Sequence, residues 1–116
     1  MTVTIDGKTL KVSALSMRVI PVASETDEMS ESVFLHITRP FGAYRQWEIE
    51  GVEDASVSWS NSIVKYLQDK AQSGSSINLN VDEAVYSFSG YVWIMDISVD
   101  FEKNARLYRV TVQEVM

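Results

Sequence analysis

Only one stretch of this chain spaces its apolar residues for a helix; nearly everywhere else they alternate with period two. In NSIVKYLQDKAQSG, residues Ile63, Val64, Leu67 and Ala71 recur at helical spacing and form one stripe. Lys65, Asp69 and Lys70 stay off that stripe, and Lys70 suits the negative end of the helix dipole. Asn61 or Ser60 is placed to cap the first turn, and Gly74 to supply a left-handed stop. These signals predict a helix over about residues 61–72. A helix this short is marginal in water, so the stripe must be covered by something else, and the rest of the sequence offers only strands.

The strands follow from alternation and turn chemistry. Val3 and Ile5, then Asp6-Gly7, then Leu10 and Val12 predict a hairpin over residues 2–13. In LSMRVIPV (15–22), Leu15, Met17 and Val19 share a face, and Pro21 assigns that strand's end to an edge or a bulge. Residues 23–32 (ASETDEMSES) are the most polar run and read as a solvated loop or the tip of a long hairpin. Strand signal returns at 33–38, and Arg39-Pro40-Phe41-Gly42 reads as a turn. In 44–50, Arg45, Trp47 and Ile49 oppose Tyr44, Gln46, Glu48 and Glu50, with Gly51 as the expected strand end. Further strands are expected at 76–81, 84–88, 91–100 and 106–115. The apolar start of the 91–100 run suggests cover on both faces. In the last strand Leu107, Arg109, Thr111 and Gln113 face away from Tyr108, Val110 and Val112. The expected fold class is mainly β (α+β): an antiparallel β-sandwich or barrel with one flanking α-helix.

A chain of 116 residues fits one domain, 1–116, with no repeat or linker inside it. Apolar residues make up 46% of it, including three Trp, five Tyr and four Phe, enough for a core without covalent staples. There is no cysteine, which removes disulfides, thiolate metal sites and a Cys nucleophile. The opening MTVTIDGKTLKV lacks a basic and an apolar signal region, and no run approaches the ~20 apolar residues of a membrane helix. Neither a signal peptide nor a membrane partner is expected. The net charge of -6, with ten basic residues scattered along the chain, argues against tight nucleic-acid binding. It is compatible with a surface past which nucleic acid slides without sticking.

Little in the sequence points to catalysis. His36 is the only histidine, it lies in an expected strand, and no nucleophile elbow accompanies it. A zinc site on imidazoles needs more than one. Glu48 and Glu50 share a strand face about 7 Å apart, a spacing open to a glycosidase pair or a hard cation. The plainer reading is a solvated sheet face leading into the acidic turn at Glu53 and Asp54. The Glu25–Glu31 run lacks the spacing of a calcium loop. Gly74-Ser75-Ser76 follows the helix instead of opening one, so no phosphate cradle is formed. Trp47, Trp59, Tyr86, Phe88, Tyr91, Trp93 and Tyr108 read first as core and second as a stacking platform for sugars or bases. Trp59, just before the helix, is the one most open to an exposed role. The expectation is a non-enzyme with no catalytic, cofactor or metal residues and no cofactor.

The order of elements in the second half carries a resemblance. It runs strand (RQWEIEG), acidic connection, helix (NSIVKYLQDKAQSG), strand (INLNV), strand (VYSFSGYVWIMDISVDF), turn (EKN) and strand (LYRVTVQEV). Gly90-Tyr91-Val92 and Tyr108-Arg109-Val110-Thr111-Val112-Gln113-Glu114 match a strand and final strand of small tail proteins of tailed phages. Residues 44–115 thus resemble tail-tube, distal-tail or baseplate proteins of the tail-tube-like β-barrel fold. The resemblance implies a structural protein that self-associates into a ring, commonly hexameric, and contacts other tail or baseplate proteins. It implies a place in the tail of a virion, after assembly in the host cytoplasm. It also implies a reaching loop, for which residues 23–32 are the candidate, with Glu25, Asp27, Glu28, Met29 and Glu31 as contact residues. The competing reading is a monomeric β-sandwich binding module for carbohydrate or another small ligand, with exposed Trp and Tyr on a concave face.

Overall fold

The structure is a computed structural model that describes residues 2–29 and 34–115, and the side chains within them outside 22–41. Seven strands and one helix follow in the order β1 (Thr2–Ile5), β2 (Lys8–Leu10), β3 (Val12–Met29), β4 (Phe34–Asp54), α1 (Ile63–Ser73), β5 (Ile77–Asp82), β6 (Ser87–Phe101) and β7 (Ala105–Glu114). All pair antiparallel in one sheet ordered β2-β1-β5-β6-β7-β4-β3.

That order dictates the shape. β2 and β3 stand at opposite ends of the sheet, yet only Lys11 separates them in the chain. A flat sheet of this width would put its ends about 29 Å apart, at ~4.8 Å per strand spacing, whereas one residue spans only about 3.5 Å. The sheet must therefore roll until its ends meet. The Val52 amide donates to the Lys11 carbonyl at 3.0 Å at the place where they do. Extra residues at Ser13 in β3 and Met95 in β6 break the register and supply local bending.

Rolling gives the sheet an inside. Val3, Ile5, Trp47, Ile49, Ile77, Leu79, Val81, Val92, Val110 and Val112 point there, each 0 or 1% exposed. The helix lies against β6 and adds Val64 and Leu67 to this core, with Ile63 packed at its margin. Burying those side chains, at roughly 1.5–3 kcal/mol each, is what stabilises an eleven-residue helix.

The helix starts slightly later than the sequence suggests. Trp59–Asn61 close a 3-10 turn in which the Ser62 amide donates to the Trp59 carbonyl. This leaves Ser62, not Asn61 or Ser60, as the cap, its hydroxyl accepting from the Val64 and Lys65 amides. Gly74 ends the helix at φ 67°, as expected, its amide turned back onto the last turn. The 2–13 hairpin also forms as read, with Asp6 at φ 50° and Gly7 at φ 79° making its turn.

Four strand expectations need correction. Arg39-Pro40-Phe41-Gly42 is not a turn: β4 runs through it, and the register step from Val22↔Gly42 to Ala23↔Pro40 makes residue 41 a bulge. The 23–32 run takes the second form read for it, part of a long hairpin instead of a loop: Ala23–Met29 pairs with residues 34–40, and residues 30–32 lie outside the described residues. Gly51 does not end β4, which continues to Asp54; the Tyr108 ring covers the space where a side chain on Gly51 would sit. The expected strands at 84–88 and 91–100 merge into β6, with Gly90 under the Phe88 ring and Val85 outside in the connection, 90% exposed. Nor is the start of 91–100 covered on both faces. Val92 is buried, while Tyr91, Trp93 and Met95 look outward.

Candidate assembly surface

β3 and β4 continue well past the body. β7 accompanies β4 only between Gln46 and Asp54. From Ile20↔Tyr44 to Met29↔Phe34 the two strands pair with each other and, among the described residues, with nothing else. The ten residue steps from Phe34 to Tyr44 add about 33 Å at strand rise. The molecule is accordingly 70 Å long but only 30 and 22 Å across. A two-stranded ribbon is marginal in water by itself, and each of its edges presents a row of backbone donors and acceptors.

The candidate contact residues fall on this ribbon. Glu25, Asp27, Glu28 and Met29 lie in the distal part of β3, paired in register with Thr38, His36, Leu35 and Phe34. Glu31 lies outside the described residues. The sequence offered this stretch as a solvated loop or as the tip of a long hairpin, and the pairing of Ala23–Met29 with 34–40 favours the hairpin.

A polar clamp holds the root of the ribbon. Arg45 donates from Nη2 and Nε to Glu114 at 2.5 and 3.1 Å, and its guanidinium stacks 4.5 Å from the Phe88 ring centre. The bond to Arg45 holds the Glu114 carboxyl below the usual carboxylate range, and the same bond raises Arg45. Beneath them Trp47 donates its indole N–H to the Tyr86 hydroxyl at 3.1 Å. This clamp went unread in the sequence because its partners are 69 residues apart.

The outer face of the body is mostly Ser, Thr, Asn and acidic residues. Glu48 and Glu50 share a face, as read, and both bind Arg109, at 3.1 and 2.6 Å. They are thus members of an exposed ion-pair network. Across β6 the same face carries Tyr91, Trp93 and Met95, 61, 38 and 55% exposed. Of the three indoles Trp47 is buried, Trp59 is 41% exposed and stacks near Phe101, and Trp93 is the one on the open sheet. Among the described residues no three His, Cys, Asp or Glu side chains cluster as metal ligands do, and no helix is long and apolar enough to cross a membrane.

A second buried polar cluster anchors the helix to the sheet. Glu53, 8% exposed, accepts from Arg106 Nη1 at 2.7 Å, from the Ser62 hydroxyl at 2.5 Å and from the Ile63 amide at 2.8 Å. Arg106 also donates to the Val57 carbonyl at 3.1 Å and stacks 5.4 Å from the centre of the Trp59 ring. Beside this cluster a groove of about 530 Å³ opens between β2 and the start of α1. Tyr108 lines it, 3% exposed, and among the described residues its hydroxyl finds no hydrogen-bond partner. Burial pushes that phenol up to about 12.

No protein-family model matches the sequence, and no curated protein matches it. Solved structures do match in fold. One is a chain from the tail of an empty gene transfer agent (GTA) particle, solved by helical refinement with C6 symmetry. It aligns with a TM-score of 0.54 at 9% identity, over 92% of this chain and 79% of that one. Another is a chain from the virion of a native GTA particle, with a TM-score of 0.55 at 11% identity, over 94% of this chain and 84% of that one. This chain therefore shares its fold with subunits of phage-like tail and virion assemblies.

Proposed function

We propose that this protein is a structural subunit of a phage-like tail, forming the tail tube, distal tail or baseplate by ring-wise association with copies of itself. The observation that carries this reading is the ribbon. The body of the sheet meets its own ends by rolling, but among the described residues β3 and β4 leave it with no third strand on either edge. Exposed edges of that length are hazards unless a neighbour pairs with them. The shared fold with a chain of a C6 tail supports a sixfold ring as the neighbour's arrangement. The acidic outer face, with Arg109 neutralised by two glutamates, suits a surface that does not hold nucleic acid. The role is mechanical, with no turnover and no cofactor, and its setting is the virion tail.

The test is direct. Full-length protein is concentrated and imaged by negative-stain electron microscopy alongside mass photometry. Rings or tubes are the expected result, and a persistent monomer at high concentration refutes the reading. A second reading has one observation in its favour: Tyr91 and Trp93 stand two residues apart on one exposed face, as in a sugar-stacking platform. Binding of soluble glycans, lost in Trp93→Ala and present in a monomer, would favour it over assembly.

A further inference from the structure

We propose that the groove between β2 and the start of α1 binds a small organic anion, a carboxylate on an apolar body, with the Tyr108 hydroxyl and the Lys11 ammonium as its anchors. The proposal goes beyond the tail reading and uses no part of the ribbon. Three observations carry it.

The first is the shape of the site. A groove of about 530 Å³ falls within the size range of small-molecule sites. Its walls come from stretches that only the fold brings together: β2 with Lys11, the run from the end of β4 into α1, and Tyr108 of β7. Val52, Val57 and Ile63, all half-buried, give it an apolar side on which a ligand's body can rest.

The second is the Tyr108 hydroxyl. Tyr108 is 3% exposed, and its hydroxyl is unpartnered among the described residues. The ring lies across Gly51, which carries the hydroxyl toward the seam where the Val52 amide meets the Lys11 carbonyl. Val52 and Lys11 both line the groove, so the hydroxyl lies at its inner side. A buried polar group without a partner costs free energy, and an acceptor entering the groove would recover it. Burial and the charge of Glu53 push the phenol up to about 12, so it stays protonated and acts as a donor. The ligand must bring the acceptor.

The third is charge. Three carboxylates border the groove, and each already has its partners. Glu53 accepts from Arg106, Ser62 and the Ile63 amide, Asp69 from Lys65, and Asp54 from the Ser56 amide. Lys8 places its Nζ 4.9 Å from the centre of the Tyr66 ring. Among the described residues neither Lys8 nor Lys11 makes an ion pair, and both border the groove. The uncommitted charge there is therefore positive. An anionic acceptor answers Lys11 and Tyr108 together, whereas a cation answers neither.

The experiment titrates benzoate into full-length protein and follows it by saturation-transfer NMR, which reads monomer and assembly alike. Benzyl alcohol serves as the uncharged counterpart and inorganic phosphate as the anion without an apolar body. Benzoate should bind saturably with a Kd on the order of 1 mM, as suits so small a ligand. Both comparison compounds should bind about tenfold more weakly or worse. Tyr108→Phe should weaken benzoate about tenfold and Lys11→Gln about threefold. Tyr108→Phe gives up no hydrogen bond within the described chain, so its urea midpoint should not fall. Benzoate should raise the midpoint of the parent and leave that of Tyr108→Phe unmoved. Should Tyr108→Phe fail to fold, Lys11→Gln decides alone, since that side chain is exposed. No saturable binding of benzoate, benzyl alcohol binding as tightly, or either folded variant binding as tightly as the parent overturns the site. The tail reading stands in each of those cases.

Discussion

Removing the charge of Glu53 should be the most damaging conservative change in the body of the protein. Glu53→Gln keeps the shape but leaves Arg106, whose side chain is 13% exposed, without its counter-charge. It also forces one amide N–H₂ toward a donor, because Glu53 accepts three bonds, from Arg106, Ser62 and the Ile63 amide. Breaking one side of a buried ion pair costs about 3–5 kcal/mol. That is a large part of the roughly 5–15 kcal/mol that holds a domain folded. With a urea slope near ~2 kcal/mol per molar, the midpoint should fall by about 2 M. Equilibrium urea unfolding followed by tryptophan fluorescence measures it. Arg106→Met in the same chain removes the orphaned cation, so the double variant should recover part of the loss. Glu48→Gln is the control: its partner Arg109 is more than half exposed, and the change should cost under about 0.5 kcal/mol. A Glu53→Gln midpoint within error of the parent's, or a double variant no better than the single, would refute the account of this cluster.

Four further outcomes follow from the same geometry. Gly51→Ala should destabilise by about 1–3 kcal/mol, since its methyl would occupy the Tyr108 ring, and Gly51→Ala with Tyr108→Leu should cost less than the single change; urea midpoints decide it. The lowered Glu114 carboxyl makes its contribution to stability present above the unfolded value and lost as pH falls through the folded one, so Glu114→Gln should flatten the acid limb of a stability–pH profile. Tyr108 has the opposite sign: with its phenol raised to about 12, its contribution is lost as pH climbs from the ordinary tyrosine range toward that value, and Tyr108→Phe should remove this alkaline loss. Acrylamide should quench Trp59 and Trp93, 41 and 38% exposed, while Trp47 stays protected, and single-tryptophan variants separate the three.

The fold was legible where a local rule decides the conformation. Asp6-Gly7 could only turn, Gly74 could only end a helix in the left-handed region, and the alternation of Tyr108, Val110 and Val112 reached the core as read. The misreadings share one cause. Pro40, Gly42, Gly51 and Gly90 are breakers by local propensity, and each lies inside a strand because something distant overrides the propensity. Gly51 and Gly90 are covered by the rings of Tyr108 and Phe88, and Gly42, at φ 143°, follows a bulge in a ribbon paired on one side only. The outward turn of Tyr91, Trp93 and Met95 was hidden for a similar reason. A run of apolar residues does not reveal which face a rolled sheet leaves uncovered, and the bulge at Met95 switches the alternation midway. Of the candidate assembly surface, the segment that holds Glu25, Asp27 and Glu28 was legible as a possible hairpin tip. The groove was not, because Lys8 and Lys11, Glu53 and Tyr108 come from three separate stretches of chain.

The placement of the open edges links the fold to the proposed assembly. An antiparallel sheet with one helix can cover one face at most, so its edges must be met by closure or by a neighbour. This chain uses closure for its body, through the single-residue step at Lys11, and then extends β3 and β4 beyond the point where closure can reach them. Both demands fall on the same two strands: near their base they complete the roll, and farther out, among the described residues, they pair only with each other. Shortening the ribbon, by joining Ile20 to Tyr44 through an Asn-Gly turn, should therefore separate the two roles. The body should keep its unfolding free energy, read from urea titration, to within about 1 kcal/mol, because Trp47, Ile49 and the helix contacts are untouched. Association should be abolished. A shortened chain that unfolds would place the ribbon in the folding unit, and one that still forms rings and tubes would remove it from the assembly.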